Sequence, residues 1–462
     1  MEQGMSRLDN SGVVCEYRGR MDDERTIAAV ATPVGVGALA IVRLSGPRAR
    51  EVARVVCPGW EPEARRATLV RVRDARGRVV DECVGTWYAG PASFTGEDVV
   101  ELSCHGGALV TQLVLERVLA CGARPAEPGE FSRRAFEHGR MDLTQAEAVM
   151  DIISAGSEAA LRAAQNQLQG GISRPVEEAC SLLLDVAAHV EAYIDFPEED
   201  IAPQTRGELV AALAGVEAGL ARLLSTAEQG RYLREGVRTA IVGAPNAGKS
   251  SLLNCLLGYE RAIVSSVAGT TRDTVEEALT LGGLRLRLVD TAGLHSSTDA
   301  LEQSGMERTL RAWQGADIVL RVADVSQAPQ ELPAVDSAAP QVWVLNKCDL
   351  PEHEAWRGVE GVRVSCRTGQ GIEALQAAVA RLLCTQSPEQ DTPAAINTRH
   401  RYALQQAHQA TETARTALEA GVEPELVAVD LRAALDALGS IVGRVDTEDI
   451  LTRLFSTFCL GK

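Results

Sequence analysis

The rhythm of apolar and polar positions changes three times along the chain. From Thr26 to about Arg140 the apolar residues come in short runs broken by Gly and Pro: "IAAVATPVGVGALAIVRLSG", "ATLVRVRDARGRVVDECVGTWYAG" and "DVVELSCHGG". Runs of this kind predict strands, and Arg76-Gly77 predicts a hairpin turn. "GALVTQLVLERVLACG" has helical spacing and closes on Gly122, a residue suited to the turn past a helix end. This first part reads as an α+β domain.

Beyond Leu143 the spacing becomes helical. Val176, Cys180, Leu183, Ala187, Val190 and Ile194 recur at three and four, and a second stripe runs through Leu209, Leu213, Val216, Leu220 and Leu223. Helical spacing returns after Pro393, through Leu404 and then Leu431, Leu435 and Leu438. Between these stretches "VRTAIVG", "LRLRLVD", "IVLRVAD", "VWVLN" and "VRVS" alternate with helical segments, the pattern of a doubly wound sheet. The economical reading is a helical domain interrupted by an inserted α/β domain, which is tolerated where the insert's ends lie close together. The expected division is 1–24, 25–141, 142–235, 236–384 and 385–462, a multidomain α/β chain. Residues 1–24 lack apolar periodicity and the apolar core of a signal peptide, so they read as a loose extension. Met21, just before the first ordered run, is an alternative start of translation.

Composition narrows the function classes. A length of 462 residues suits about three domains. Lys plus Arg is 46 and Asp plus Glu is 63, a net charge of −17, which argues against holding nucleic acid by bulk charge. No run approaches 18 consecutive apolar residues, so no membrane span is expected. The 11 cysteines are scattered and form no CxxC pair, which argues against a zinc site or a disulfide framework. They read as small buried hydrophobes in a reducing cytoplasm. Cys459 differs, because the tail "ILTRLFSTFCLGK" is apolar almost to its end and suggests docking. It does not fit a prenylation signal, since Gly461 and Lys462 close the chain.

The inserted segment carries the clearest chemistry. At the end of "RTAIV", residues 243–250 read GAPNAGKS and fit GxxxxGK[ST] without mismatch. Backbone N–H groups from Asn246, Ala247, Gly248 and onward can curl around phosphates at a helix N-terminus. Lys249 can reach the β and γ phosphates, and Ser250 can ligate Mg²⁺, with Ser251 beside it. Gly269, Thr270 and Thr271 follow, where a Thr hydroxyl can complete the metal shell. Asp290, Thr291, Ala292 and Gly293 end an alternating strand, the Asp facing the metal and the Gly N–H the γ-phosphate. Asn346, Lys347, Cys348 and Asp349 then end "VWVL". A carboxylate at Asp349 can accept from guanine N1–H and the N2 amine, a donor pair that adenine lacks. Ser365, Cys366 and Arg367 would back the base through a main-chain N–H. Four motifs in this order, each at a strand end, specify a guanine nucleotide rather than ATP. Leu294 follows Gly293 where small regulatory GTPases place a water-orienting Gln, so another group must position the water. Glu302 lies nearby, as a solvated helix-face residue or as that group.

These features resemble the MnmE (TrmE) family, the tRNA uridine 5-carboxymethylaminomethyl modification GTPases. The resemblance rests on "GAPNAGKSSLLN", "AGTTRD", "FTGEDVVELSCHGG", "PGEFSRRAFEHGRMDLTQAEAVMD" and the terminal "FCLGK", and spans Thr26 to Lys462. It implies an N-terminal tetrahydrofolate-binding and dimerisation domain, a discontinuous helical domain and an inserted Ras-like G domain. It also implies a cytoplasmic homodimer that joins the flavin-containing partner MnmG and acts on C5 of the wobble uridine of certain tRNAs. Folate would supply the one-carbon unit and GTP hydrolysis the conformational drive. By matching motifs it places Arg43, Glu101, Arg140 and Lys462 at the folate. Arg140 stands where the family often has Lys. In the G domain it makes Asn246, Ser265, Val267 and Thr270 the K⁺ ligands, within a loop that includes Ser266 and Ala268, and Ser250 with Thr271 the Mg²⁺ ligands. Glu302 becomes the water-orienting residue, and Cys459 a candidate for chemistry. The competing reading is a regulatory or assembly GTPase whose N-terminal domain only binds a partner.

Overall fold

The computed structural model describes residues 25–33, 35–195, 206–260, 278–281, 284–288, 315–330, 339–383, 396–444, 454, 455, 458 and 461. Two compact units make up the chain, Met1–Met141 together with Thr447–Lys462, and Asp142–Asp446.

The first unit is built on a six-stranded sheet in the order β3-β4-β5-β2-β1-β6. Its strands are β1 (Ile27–Val30), β2 (Leu39–Ser45), β3 (Thr68–Arg73), β4 (Val79–Tyr88), β5 (Val99–His105) and β6 (Arg124–Pro125). Helices α1 (Ala49–Val56) and α2 (Ala108–Ala120) cover one face. Period-two alternation decides which side chains meet them: Ala40, Val42 and Leu44 of β2 and Val100 and Leu102 of β5 enter the core with Val52, Val56, Val114 and Val118. The residues between them, Arg43 and Glu101, therefore face the other side, and the antiparallel register sets them directly opposite each other. On that side Ile27, Ala29 and Ala126 pack with Phe131 of α3 (Glu130–Glu137). The expected hairpin is present. Asp74 Oδ1 accepts from the backbone N–H of Arg76 and Arg78, while Gly77 takes φ 78°, where a side chain would be strained.

The sequence reading grouped residues 385–462 with the helices, but the chain from Thr447 onward belongs with the first unit. Its described residues show why. A Cβ on Gly129 would lie 2.5 Å from the Phe455 carbonyl oxygen, and one on Gly461 would lie 2.5 Å from the Val30 carbonyl oxygen. Phe455 and Phe458 are buried there, ring against ring at 5.2 Å.

The second unit combines a helical bundle with a second six-stranded sheet. The bundle helices are α4 (Leu143–Ser154), α5 (Glu158–Leu168), α6 (Ser173–Asp195), α7 (Arg206–Ser225) and α8 (Ala227–Glu235). Next come β7 (Val237–Gly243), α9 (Lys249–Glu260), β8 (Ala278–Leu281), β9 (Leu284–Leu288), β10 (Ile318–Asp324), β11 (Gln341–Asn346), β12 (Val362–Val364) and α10 (Ile372–Leu383). Helices α11 (Thr398–Ala420) and α12 (Pro424–Val442) return to the bundle. The two apolar stripes of α6 and α7 close on α11 and α12 around Leu183, Leu213, Leu220, Leu404, Leu431 and Leu438. The helical stretch Arg206–Glu235 is long and apolar enough to cross a membrane by length and composition, yet Leu209, Leu213, Val216 and Leu220 are buried in this core.

The second sheet runs β12-β11-β10-β7-β9-β8, parallel except for the β8–β9 pair. The central strands β10 and β11 are near-continuous apolar runs, as both faces of a parallel sheet are covered, whereas β9 alternates Leu with Arg. Leu252, Leu253 and Leu256 of α9 and Ile372, Leu375 and Val379 of α10 pack on β8, β9 and the central strands. The carboxyl ends of β7, β10 and β11 thus converge on one rim, where a doubly wound sheet binds its ligand.

Candidate functional site

At that rim the loop after β7 turns sharply. A Cβ on Gly243 would sit 2.2 Å from the Val322 carbonyl oxygen, and one on Gly248 would sit 2.1 Å from Asn346 Nδ2. Gly248 also takes φ 98°, and Asn246 takes the left-handed φ of 59°. Asn tolerates that conformation better than most residues. The loop backbone is therefore compressed between β10 and β11 and leads straight into α9, the arrangement of an anion cradle at a helix N-terminus.

One side chain braces the loop internally, and two tie it to the base-reading strand ends. Lys249 Nζ donates to the carbonyls of Gly243 (2.8 Å) and Ala244 (2.9 Å), and burial holds its pKa below the usual lysine value. Asn346 is buried; its Nδ2 donates to the Ala247 carbonyl at 3.0 Å, and its Oδ1 accepts from the Cys366 backbone N–H at 3.4 Å. Lys347, at φ 62°, spans from Asp324 Oδ2 (2.5 Å) to the Asn246 carbonyl (3.1 Å). Burial would raise the Asp324 pKa, but hydrogen bonds from Lys347 and from Ser326 hold it below the usual value.

Asp349 lies beside them. Its Oδ1 accepts from Ser365 Oγ at 2.7 Å and its Oδ2 meets Arg367 Nη2 at 2.8 Å. The Ser365 hydroxyl, more than Arg367, holds the carboxyl below its ordinary pKa, so it is ionised at neutral pH. Ser250 is half-buried and Ser251 exposed at the start of α9. The structure thus brings together Asn246, Ala247, Gly248, Lys249, Asn346, Lys347, Asp349, Ser365, Cys366 and Arg367. Ser265, Ser266, Val267, Ala268, Gly269, Thr270, Thr271, Asp290, Thr291, Ala292, Gly293 and Glu302 lie outside the described residues.

In the first unit Arg43 Nη2 and Glu101 Oε1 pair at 2.8 Å, as their opposed register requires. The Arg43 guanidinium lies 5.6 Å from the centroid of the Phe94 ring and 5.8 Å from that of Phe131, and its Nη1 donates to the Gly461 carbonyl at 3.3 Å. Arg140 is exposed just past α3, its backbone N–H bonded to the Ala135 carbonyl at 2.8 Å. Cys459 and Lys462 lie outside the described residues, while their neighbours Phe458 and Gly461 are buried.

Sequence reasoning missed Phe94, Phe131 and Asp324. Asp324 had one available signal, its place at the carboxyl end of a parallel strand. The two phenylalanines had none, because their approach to Arg43 depends on how α3 and the loop before β5 fold over the sheet.

Two family models match the chain. The family model described as the MnmE helical domain matches residues 143–459, and that described as the GTP-binding protein TrmE N-terminus matches 26–140. A tRNA modification GTPase MnmE of Akkermansia muciniphila is 54% identical over 447 residues, covering 96% of this chain and 100% of that protein. One from Chloroflexus aurantiacus is 47% identical over 455 residues, covering 95% and 99%. Among solved structures, the FeoB G-domain from Methanococcus jannaschii aligns over 31% of this chain and 96% of its own at 23% identity, with a TM-score of 0.21.

Proposed function

The chain belongs to the MnmE family of tRNA modification GTPases, and from that premise we propose that it is the GTP-hydrolysing component of a complex that modifies C5 of the wobble uridine. The observation that carries the nucleotide half is the ionised Asp349 carboxylate beside Ser365, joined through Asn346 and Lys347 to the phosphate loop. A carboxylate at that position accepts the two donors of guanine and rejects adenine by leaving an acceptor unpaired. The loop around Gly248 would take the phosphates on its backbone N–H groups, and Lys249 would move its ammonium from the loop carbonyls to the β and γ oxygens. Ser250 and Thr271 would hold Mg²⁺, and Asn246, Ser265, Val267 and Thr270 would hold K⁺. Bound there, the two cations supply positive charge to the phosphate oxygens of the transition state. Glu302 would orient the attacking water, the task that Leu294 lacks the chemistry for.

The N-terminal part, residues 25–141, is proposed to bind a reduced tetrahydrofolate and to form the homodimer. Support comes from a polar pair, Arg43 and Glu101, set between two phenyl rings and closed by the C-terminal tail. An amino-pterin edge is matched by a carboxylate acceptor and a guanidinium donor, and its flat ring by aromatic faces. Arg140 and Lys462 would meet the folate's carboxylates. Residues 142–235 and 385–446 form the helical part and 236–384 the G domain. Cys459, in the docked tail, stays a candidate for chemistry at the modified carbon. In the cytoplasm the homodimer would join the flavin-containing partner MnmG on tRNA.

Turnover by the purified chain tests this. GTP should be hydrolysed and ATP not, faster in K⁺ than in Na⁺ at matched ionic strength, and a reduced folate should bind saturably and be lost in Arg43→Ala. A well-folded chain that hydrolyses GTP but has no folate affinity would favour the regulatory or assembly GTPase instead.

A further inference from the structure

Asp349, the carboxylate expected to read guanine, has both oxygens engaged by the protein itself. Ser365 Oγ holds Oδ1 at 2.7 Å, and Arg367 Nη2 holds Oδ2 at 2.8 Å. The two donors differ in character. Ser365 is buried, whereas Arg367 is 75% exposed against 14% for Asp349, so a fixed acceptor meets a donor on a free arm. A guanidinium presents planar N–H donors side by side. Guanine presents the same edge through N1–H and its N2 amine. Adenine offers one amine next to an acceptor nitrogen.

We propose that Arg367 stands in for one donor of the guanine edge: it occupies Asp349 Oδ2 and has to be displaced when a guanine nucleotide seats, which makes it a specificity-determining residue acting on the association step. The proposal rests on the guanine-nucleotide reading and deepens it. A ligand with two adjacent donors replaces the arginine's contact with contacts of the same kind. A ligand with one donor and one acceptor displaces the ion pair and sets an acceptor lone pair against the carboxylate. The released guanidinium, still tethered beside Cys366, is free to lie over the base, where planar cations stack well.

The effect is modest because the arginine of the pair is mostly exposed, and exposed ion pairs change an equilibrium by about two- to fivefold. The test is stopped-flow association of fluorescent GDP with the full-length chain, wild type and Arg367→Ala. The same comparison is repeated in the Asp349→Asn background with fluorescent xanthosine diphosphate. Loss of a positive charge slows an anion's approach in both backgrounds, so the ratio of the two effects isolates the contact with Asp349. Arg367→Ala is expected to speed association about two- to fivefold more with Asp349 present than with Asn in its place. Equal effects in the two backgrounds would overturn the role of Arg367 while leaving guanine recognition standing. A wild-type chain that binds no guanine nucleotide at all would overturn both.

Discussion

Glu147 offers the sharpest energetic test of the helical part. It is 2% exposed on α4, yet its carboxylate collects donors from the first turn of α11: Asn397 Nδ2 at 3.0 Å, Arg399 Nε at 3.1 Å and His400 Nε2 at 2.7 Å. His400 Nδ1 faces the Asn397 backbone N–H at 3.5 Å, and its Nε2 lies 2.9 Å from Arg399 Nη2 as well as beside Glu147. Burial alone would raise the carboxyl pKa, but His400 and then Arg399 reverse that and bring it from 4.5 to about 2. His400 itself shifts down because its burial outweighs the pull of Glu147. A folded value below the unfolded one means the stabilisation is fully present above pH 4.5 and is lost as pH falls through about 2. The difference corresponds to about 3 kcal/mol at neutral pH, and breaking a buried pair from one side costs about 3–5 kcal/mol. Glu147→Gln should therefore speed amide exchange in the first turn of α11 by about a hundredfold at pH 7. Hydrogen exchange read by peptide mass isolates that turn from the rest of a multidomain chain, for which one global unfolding free energy is ill-defined. Exchange within about threefold of wild type would refute the reasoning.

Further outcomes are expected elsewhere. Asp151, paired with Arg234 at 2.8 Å, is pushed up from 3.8 to about 6 by burial, so its stabilising contribution is complete below pH 3.8 and lost as pH rises through about 6. Asp151→Asn should thus gain stability relative to wild type between pH 4 and pH 7 in thermal scans; a difference constant with pH would contradict this. Asp349→Asn should weaken GDP binding by about a hundredfold, as two hydrogen bonds to an ionised acceptor imply, and admit xanthosine nucleotides, checked by equilibrium fluorescence titration. Glu302→Ala should slow GTP turnover while GTP binding persists, and unchanged turnover would remove it from the reaction.

The nucleotide site was legible in the sequence because its chemistry is local. Glycines at 243 and 248, a lysine one residue on and an Asn-Lys-Cys-Asp run each sit at one strand end, and the spacing itself implies the cradle. The doubly wound sheet was equally readable from apolar runs such as that of β10. Arg43 and Glu101 were not readable from the pattern alone. They lie in separate alternating strands, and only the β2–β5 register makes them neighbours. Their place in the expected site came from resemblance. Where the tail docks was unreadable for a related reason: its apolar run suggests docking but says nothing of the distant Gly129 and Val30 against which Phe455 and Gly461 close. Glu147 was invisible because an acidic residue on a helix usually faces water, and nothing local shows that α11 brings Asn397, Arg399 and His400 onto it.

The central claim is that a guanine-specific hydrolytic site and a folate-type site in one chain serve the modification of a tRNA base. Mass analysis of wobble nucleosides from cells lacking this chain tests it most directly. The account expects C5-unmodified uridine at the wobble position, with the modification restored when the chain is supplied again; fully modified anticodons in its absence would contradict it.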